Sequence, residues 1–202
     1  LGSLRNQQSN GCFTWSRLEG LAIQMCEALQ YAHEQKIIHR DLKPANMMIT
    51  RKGNLKLADF GIAASVSDSN PKAEMEGDAS GTTVYMSPQQ MRGLRPEPAD
   101  DIYALGATLY DLITTRPPFY TGDIFQLVQD VPPPTISQRM ADHSLENHLP
   151  SHAEQAIMLC LAKNPGERPA SAKELADLLH PDEAPPPPPP APAPEEIEEM
   201  ES

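Results

Sequence analysis

The sequence predicts a mainly α fold of the α+β type, a helical bundle with one small β-hairpin, and three observations lead to it. Apolar residues recur at i, i+3, i+4 spacing through several stretches, each bounded by Pro, Gly or capping residues, as in amphipathic helices packed around a shared core. Only two short strand-like runs occur, Met47–Ile49 and Leu55–Leu57, joined by the turn residues Arg51-Lys52-Gly53-Asn54. Between the first helical stretch and this hairpin lies His39-Arg40-Asp41-Leu42-Lys43-Pro44-Ala45-Asn46, and Asp59-Phe60-Gly61 begins thirteen residues after Asn46. The hairpin thus sits between two polar loops.

Along the chain, residues 1–14 are polar, contain two Gly and hold no sustained period, which predicts a connector or the end of a short helix. Leu18, Leu21, Ala22, Met25, Leu29 and Ala32 then line one face of a helix over about 17–35, opened by a Ser16-x-x-Glu19 capping box. Ile37 and Ile38 form a brief extended lead into the His39 loop. Residues 62–80 are rich in Ser, Asp, Asn, Pro and Gly without periodicity, so a long loop is expected there, and such loops inside a compact domain are usually functional.

Residues 99–115 carry Ile102, Leu105, Leu109, Leu112 and Ile113 with apolar residues between them. This predicts a helix buried on most sides, central to the domain and stopped at Arg116-Pro117-Pro118-Phe119. A shorter amphipathic helix is expected over 123–130. Ser151-x-x-Glu154 and Ser171-x-x-Glu174 read as capping boxes opening helices at about 152–163 and 172–179.

Composition bounds the rest. The chain has 202 residues, enough for one moderate domain over 15–180 and a tail over 181–202. Nine prolines between Pro181 and Pro194 predict an extended, polyproline-like spacer, and the acidic end beyond it predicts disorder. Of the net charge of −12, seven negative charges fall in that tail, leaving −5 on the remainder. An acidic balance argues against nonspecific nucleic-acid or anionic-membrane binding. Cys12, Cys26 and Cys160 have no paired spacing. Cys26 and Cys160 fall on apolar helical stripes, so buried free thiols in a reducing compartment are expected. No run of eighteen apolar residues offers a membrane segment.

The two polar loops carry the chemistry. Asp41 can accept a hydrogen bond from a hydroxyl, and Lys43, two residues on, can offset charge on phosphate oxygens. Asn46 offers a neutral amide oxygen and Asp59 a carboxylate, both hard ligands suited to Mg²⁺. Singly, each could be an ordinary loop or capping residue. As an ordered set with Phe60 and Gly61 they point to phosphoryl transfer, with ATP and Mg²⁺ as cofactors. His39, alone on a short apolar segment, reads as structural rather than as a base.

From about Leu18 to His180 the sequence resembles the C-terminal lobe of eukaryotic-type Ser/Thr protein kinases, similar to bacterial members. The resemblance rests on the two loops above, on Gly81-Thr82 and Tyr85-Met86-Ser87-Pro88-Gln89, on Asp101-Ile102-Tyr103-Ala104-Leu105-Gly106, on Arg116-Pro117-Pro118-Phe119, and on Asn164-Pro165-Gly166-Glu167-Arg168-Pro169. It implies a protein-kinase-like C-lobe whose hairpin bears the catalytic and metal loops. It also implies that His39 and Phe60 stack, that Met48 floors the adenine site, that Thr82 hydrogen-bonds near Asp41 and Lys43, and that Asp101 caps the catalytic loop. Lys43 with Thr82 favours Ser/Thr over Tyr acceptors, so a protein substrate is the implied partner.

Departures from the family pattern carry expectations too. Gln89 stands where the family usually has a Glu pairing with the position of Arg168, which predicts a hydrogen-bonded but weaker lock. Ala45 replaces a Glu that reads basic residues in some members. Arg40 before Asp41 calls for a negative charge from the activation segment, and Asp78 could supply it, with Ser65, Ser67, Ser69, Ser80 and Thr83 as alternative regulatory positions. No Gly-x-Gly-x-x-Gly precedes His39, and the leading residues are too few for a five-stranded lobe. An N-lobe supplied upstream is therefore expected, with this chain inactive alone. A non-catalytic docking module, using the Pro-rich tail to bind a partner, is the alternative. The expected location is cytoplasmic, as a free protein or as the cytoplasmic part of a membrane-anchored one.

Overall fold

The computed structural model describes residues 2–8, 11–60, 83–146 and 148–181. Thr82, the loop predicted over 62–80, and the tail beyond Pro181 lie outside the described residues. The elements in order are β1 (Gly2–Ser3), α1 (Leu4–Gln8), α2 (Trp15–Glu34), β2 (Met47–Ile49), β3 (Leu55–Leu57), α3 (Pro88–Met91), α4 (Pro98–Thr114), α5 (Ile124–Asp130), α6 (Ile136–Asp142), α7 (Ser151–Cys160) and α8 (Ala172–Leu179).

The predicted hairpin forms with Met47 opposite Leu57 and Ile49 opposite Leu55. It is one strand wider than expected. β1 pairs antiparallel to β2, Gly2 opposite Ile49 and Ser3 opposite Met48, giving a three-stranded sheet in the order β1-β2-β3. The leading segment is therefore integrated into the domain. Leu4 and Phe13 are buried in the core, Phe13 N donates to Leu112 O of α4 (2.9 Å), and Arg5 pairs with the buried Asp111 (3.0 Å).

α4 is the central helix, with every residue from Asp100 to Thr114 buried. Gly106 explains how α7 comes so close. A Cβ at that position would overlap Cys160 Cβ and lie 3.3 Å from Ile157 O, so only glycine permits this crossing. The helix ends at Thr115, which takes a left-handed conformation (φ 66°) before Arg116-Pro117-Pro118.

The buried stripe of α2 is the predicted one, with Leu18, Leu21, Ala22, Met25, Leu29 and Ala32 joined by Trp15 and Cys26. α8 covers α2, tied by Lys173 N to Gln30 Oε1 (3.2 Å) and by His180 Nδ1 to Glu19 Oε1 (2.9 Å). Cys26 and Cys160 are both buried and free.

Two expected capping boxes do not form. α2 begins at Trp15 with Thr14 as its cap, so Ser16 is already inside the helix. α7 begins at Ser151, and Glu154 turns instead to Ser137, accepting from its N (2.8 Å) and its Oγ (2.6 Å). At α8 the Ser171 half holds, with Oγ accepting from Glu174 N (3.1 Å), but Glu174 reaches Ala170 N (2.7 Å) rather than Ser171 N. Full boxes occur at Ser87/Gln90 and Thr135/Gln138. The second of these opens α6, a helix that periodicity did not predict.

Candidate active site

The His39–Asn46 segment leaves α2 through two left-handed residues, Lys36 (φ 62°) and Arg40 (φ 70°). For a non-glycine residue this conformation is about 1 kcal/mol or more less favourable than the right-handed one. The compensation at Arg40 is visible. Asp101, buried in the first turn of α4, accepts His39 N at Oδ2 and Arg40 N at Oδ1, both at 2.8 Å. Gln90 Nε2 donates to Arg40 O from the other side (3.1 Å). The loop is held open by bonds from α4 and α3, so Asp41 emerges in a defined orientation.

Three of the predicted site residues come together here. Lys43 Nζ lies 2.9 Å from Asp41 Oδ2, and Asn46 Nδ2 donates to Asp41 Oδ2 (2.9 Å) and to Asp41 O (2.8 Å). With both amide hydrogens directed at Asp41, Asn46 Oδ1 is the acceptor left for a ligand. Asp41 Oδ1 is buried with no hydrogen-bond partner among the described residues. A buried carboxylate oxygen left in this state calls for a further donor beyond the described residues.

Asp59 follows β3 with φ 50° and is exposed. Among the described residues no hydrogen bond or ion pair joins it to Asp41, but its neighbours are anchored to the same loop. Ala58 N donates to Asn46 O (2.8 Å), His39 Nε2 donates to Ala58 O (3.1 Å), and Phe60 packs on the His39 ring with centroids 4.5 Å apart. The expected His39–Phe60 stack is thus present. Burial pulls the His39 imidazole below its ordinary pKa, against the pull of Asp101, Ala58 O and Asp41. The neutral ring donates at Nε2 and accepts Asp41 N at Nδ1 (3.4 Å), which suits a structural bridge better than a base. Met48 lies half-buried on β2.

Several residues of this constellation escaped the sequence. Asp100 accepts Ser87 Oγ (2.6 Å), next to Asp101 on the loop, so two consecutive carboxylates of α4 hold two different segments. Burial raises the Asp100 pKa, opposed by Ser87, Glu97 N and Arg168. His33 Nε2 reaches Asp101 Oδ2 (2.8 Å) and Tyr85 Oη donates to Asp111 Oδ2 (2.6 Å). Only Gln90 left a readable trace, the Ser87-x-x-Gln90 box. The others join residues far apart in sequence. Two candidates, Thr82 and Asp78, lie outside the described residues.

The residues present fit Mg²⁺ and phosphate. Asn46 Oδ1 and the exposed Asp59 carboxylate are hard oxygen donors, and Lys43 adds a cation beside them.

A helical lobe whose central helix grips an Asp-x-Lys-x-x-Asn loop, with the Ala58-Asp59-Phe60 segment bonded to its back, is the larger lobe of a protein kinase. The comparisons agree: the model of the protein kinase domain family matches residues 2–179, and the chain belongs to that family. It is 39% identical over 171 residues to the probable serine/threonine-protein kinase PknB of Corynebacterium glutamicum, covering 83% of this chain and 26% of that protein. To the serine/threonine-protein kinase PknB of Mycolicibacterium smegmatis it is 39% identical over 168 residues (79% and 26%), and to that of Mycobacterium tuberculosis H37Rv 36% over 188 residues (88% and 29%). The chain spans about a quarter of the length of these curated relatives. Among the described residues no helix is long and apolar enough to cross a membrane.

Proposed function

We propose that this chain is the catalytic and protein-substrate-binding lobe of a Ser/Thr kinase that transfers the γ-phosphoryl group of ATP to protein hydroxyls. The observation that carries this reading is the Asp41 carboxylate. One oxygen is fixed by Lys43 and Asn46, and the other is buried without a partner among the described residues. The second oxygen is suited to accept a hydrogen bond from the acceptor hydroxyl and to take its proton as the phosphoryl group arrives. Lys43 can turn from Asp41 to the migrating phosphoryl oxygens, offsetting their charge without displacing the acid. Asn46 and Asp59 would hold Mg²⁺, which when bound offsets charge on the phosphates. The names of the relatives support a Ser/Thr acceptor, as does Lys43.

The other wall of an ATP cleft would come from an N-terminal lobe outside this chain, and the chain alone is then expected to be inactive. The test is phosphate transfer from Mg-ATP to a generic Ser/Thr protein substrate. It compares this chain, a version extended upstream, and the extended version with Asp41→Asn. Transfer by the extended protein and loss of at least about a thousandfold in Asp41→Asn are the expected results. Equal transfer with and without Asp41 would overturn the assignment.

A further inference from the structure

Two cavities, of about 400 and 460 Å³, open side by side on the lobe and share Arg95 and Glu97. The first is lined by Lys36 and Ile37, just past the end of α2, and by Pro96. The second is lined by Arg92 and Leu94, from the connection between α3 and α4, and by Pro165. Their rims combine two kinds of group. Lys36, Arg92 and Arg95 are exposed cations, while Ile37 and Leu94 are apolar side chains left 37% and 48% exposed. Glu97 is the one exposed carboxylate on either wall, since Asp100 is buried and accepts the Ser87 hydroxyl. Among the described residues no ion pair joins Lys36 or Arg92 to a carboxylate. Such a surface suits an acidic segment that also carries apolar side chains.

The chain contains one. Glu195-Glu196-Ile197-Glu198-Glu199-Met200-Glu201 has five carboxylates, no Lys or Arg, and two apolar side chains three residues apart. That spacing suits Ile197 and Met200 to one side of either an α turn or a polyproline turn. The tether fits as well. His180 reaches Glu19 of α2 (2.9 Å), and Glu34, two residues before Lys36, lies about 22 Å further along the same helix. The run from Pro181 to Pro194 spans up to about 43 Å at about 3.1 Å per residue. Other surfaces match the segment less well. The cavity at Tyr31 between α2 and α8 is rimmed by Glu27, Glu34 and Asp177, which repel it. Arg51, Lys52 and Lys56 are exposed cations, but their hairpin presents no exposed large apolar side chain.

We propose that residues 195–201 dock in cis on this double cavity, with their carboxylates on Lys36, Arg92 and Arg95 and with Ile197 and Met200 against Ile37 and Leu94. The proline-rich run is then the spacer that delivers them. A contact with a Kd near 1 mM fills about half of such a site, because a short tether supplies an effective concentration of about 1 mM. The inference stands apart from the kinase reading, since it uses neither Asp41 nor nucleotide.

The test is carbodiimide coupling, which joins a lysine amine to a carboxylate it touches, followed by peptide mapping of the monomer. It uses the whole chain at about 10 µM, where a millimolar contact between separate chains is only about 1% filled. Lys36 should couple to residues 195–201 at least about fivefold more than Lys52 or Lys56, which meet the same tethered carboxylates without an apolar partner. Raising salt from about 0.05 to 0.5 M, which shortens the screening length from about 14 to about 4 Å, should remove most of that preference. Ile197→Asp with Met200→Asp adds negative charge but removes the apolar contact, and should lower Lys36 coupling about tenfold. Both substitutions lie outside the folded lobe, so loss of fold does not confound them. The same pair should shift the amide resonances of residues 36–38 and 92–97 and leave those of 51–56 in place.

Coupling spread evenly over Lys36, Lys52 and Lys56, or no coupling at Lys36, would overturn the proposal. So would coupling at Lys36 found only in cross-linked dimers, or left unchanged by the Ile197 and Met200 substitutions.

Discussion

Arg168 Nη2 donates to Gln89 Oε1 across 2.7 Å, and the same Gln89 returns a bond from Nε2 to Lys163 O (3.0 Å). Arg168 is itself nearly buried and also reaches Ala162 O and Ala99 O. A Glu at position 89 would strengthen the pairing with the guanidinium but set a carboxylate oxygen against Lys163 O. The amide therefore offsets its missing charge with a second bond, and the lock is firmer than the substitution alone implies. Gln89→Glu should be near neutral, within about 1 kcal/mol by chemical denaturation, whereas Gln89→Ala should destabilise by about 1–3 kcal/mol by leaving buried groups of Arg168 unsatisfied.

Asp101→Asn keeps size but puts an amide where three donors converge. One of its ends must then face an N–H group with no acceptor to offer. A loss of about 2–4 kcal/mol in urea denaturation is expected, with the greatest rise in proteolysis at 36–42. A loss under about 0.5 kcal/mol would show that the clamp is dispensable.

Gly106→Ala should destabilise by about 1–3 kcal/mol, because the new methyl overlaps Cys160 Cβ and presses on Ile157 O. Cys160→Ala should not rescue it, since the overlap is with the Cβ that alanine retains. Thermal melts of the two single variants and the double variant check this.

Thiol titration should find one reactive cysteine in the native chain and three after denaturation. Burial raises the Cys26 thiol to about 12 and pushes Cys160 up as well, and neither side chain reaches solvent. Cys12 is partly exposed.

Lys163 gives a pH dependence with a definite sign. Burial, then the charge of Arg168, lowers its pKa to about 8 from 10.5, although its Nζ donates to Val128 O at the end of α5 (2.7 Å). Between those two values the unfolded chain binds more protons at this site than the folded one, so this residue's contribution to stability rises with pH across the window. The urea midpoint of the native chain should therefore gain, relative to Lys163→Met, on moving from about pH 8 toward 10. A relative loss over that range would show that the carbonyls, rather than burial, govern the amine.

Legibility in the sequence followed the range of the forces involved. α2 and α4 were readable because their burial repeats every three or four residues. The His39–Asn46 and Asp59-Phe60-Gly61 groups were readable because their polar residues stand contiguous in the sequence, in the order of a family motif. α6 was not, since in seven residues only Ile136 and Met140 are buried, one turn apart, which sets no period. Glu154 looked like a cap until its true partner, Ser137 on another helix, was placed beside it. The His33–Asp101 bond, spanning 68 positions, left no local mark because neither residue is unusual where it stands. β1 was invisible because two residues carry no alternation, and only its pairing to β2 makes it a strand.

The cover that α8 places over α2 has a consequence for how the chain is made. α8, which closes over α2, is translated more than a hundred residues after it. At about 5–20 residues per second, α2 waits on the order of ten to thirty seconds for that partner. During that interval the residues beneath α8 are open to nascent-chain binders, and a ribosome stalled before Ala172 would release a product lacking this cover. Synthesis speed between the codons of α2 and those of α8 thus becomes a determinant of yield, and slowing it should raise the dependence of this protein on holdase chaperones.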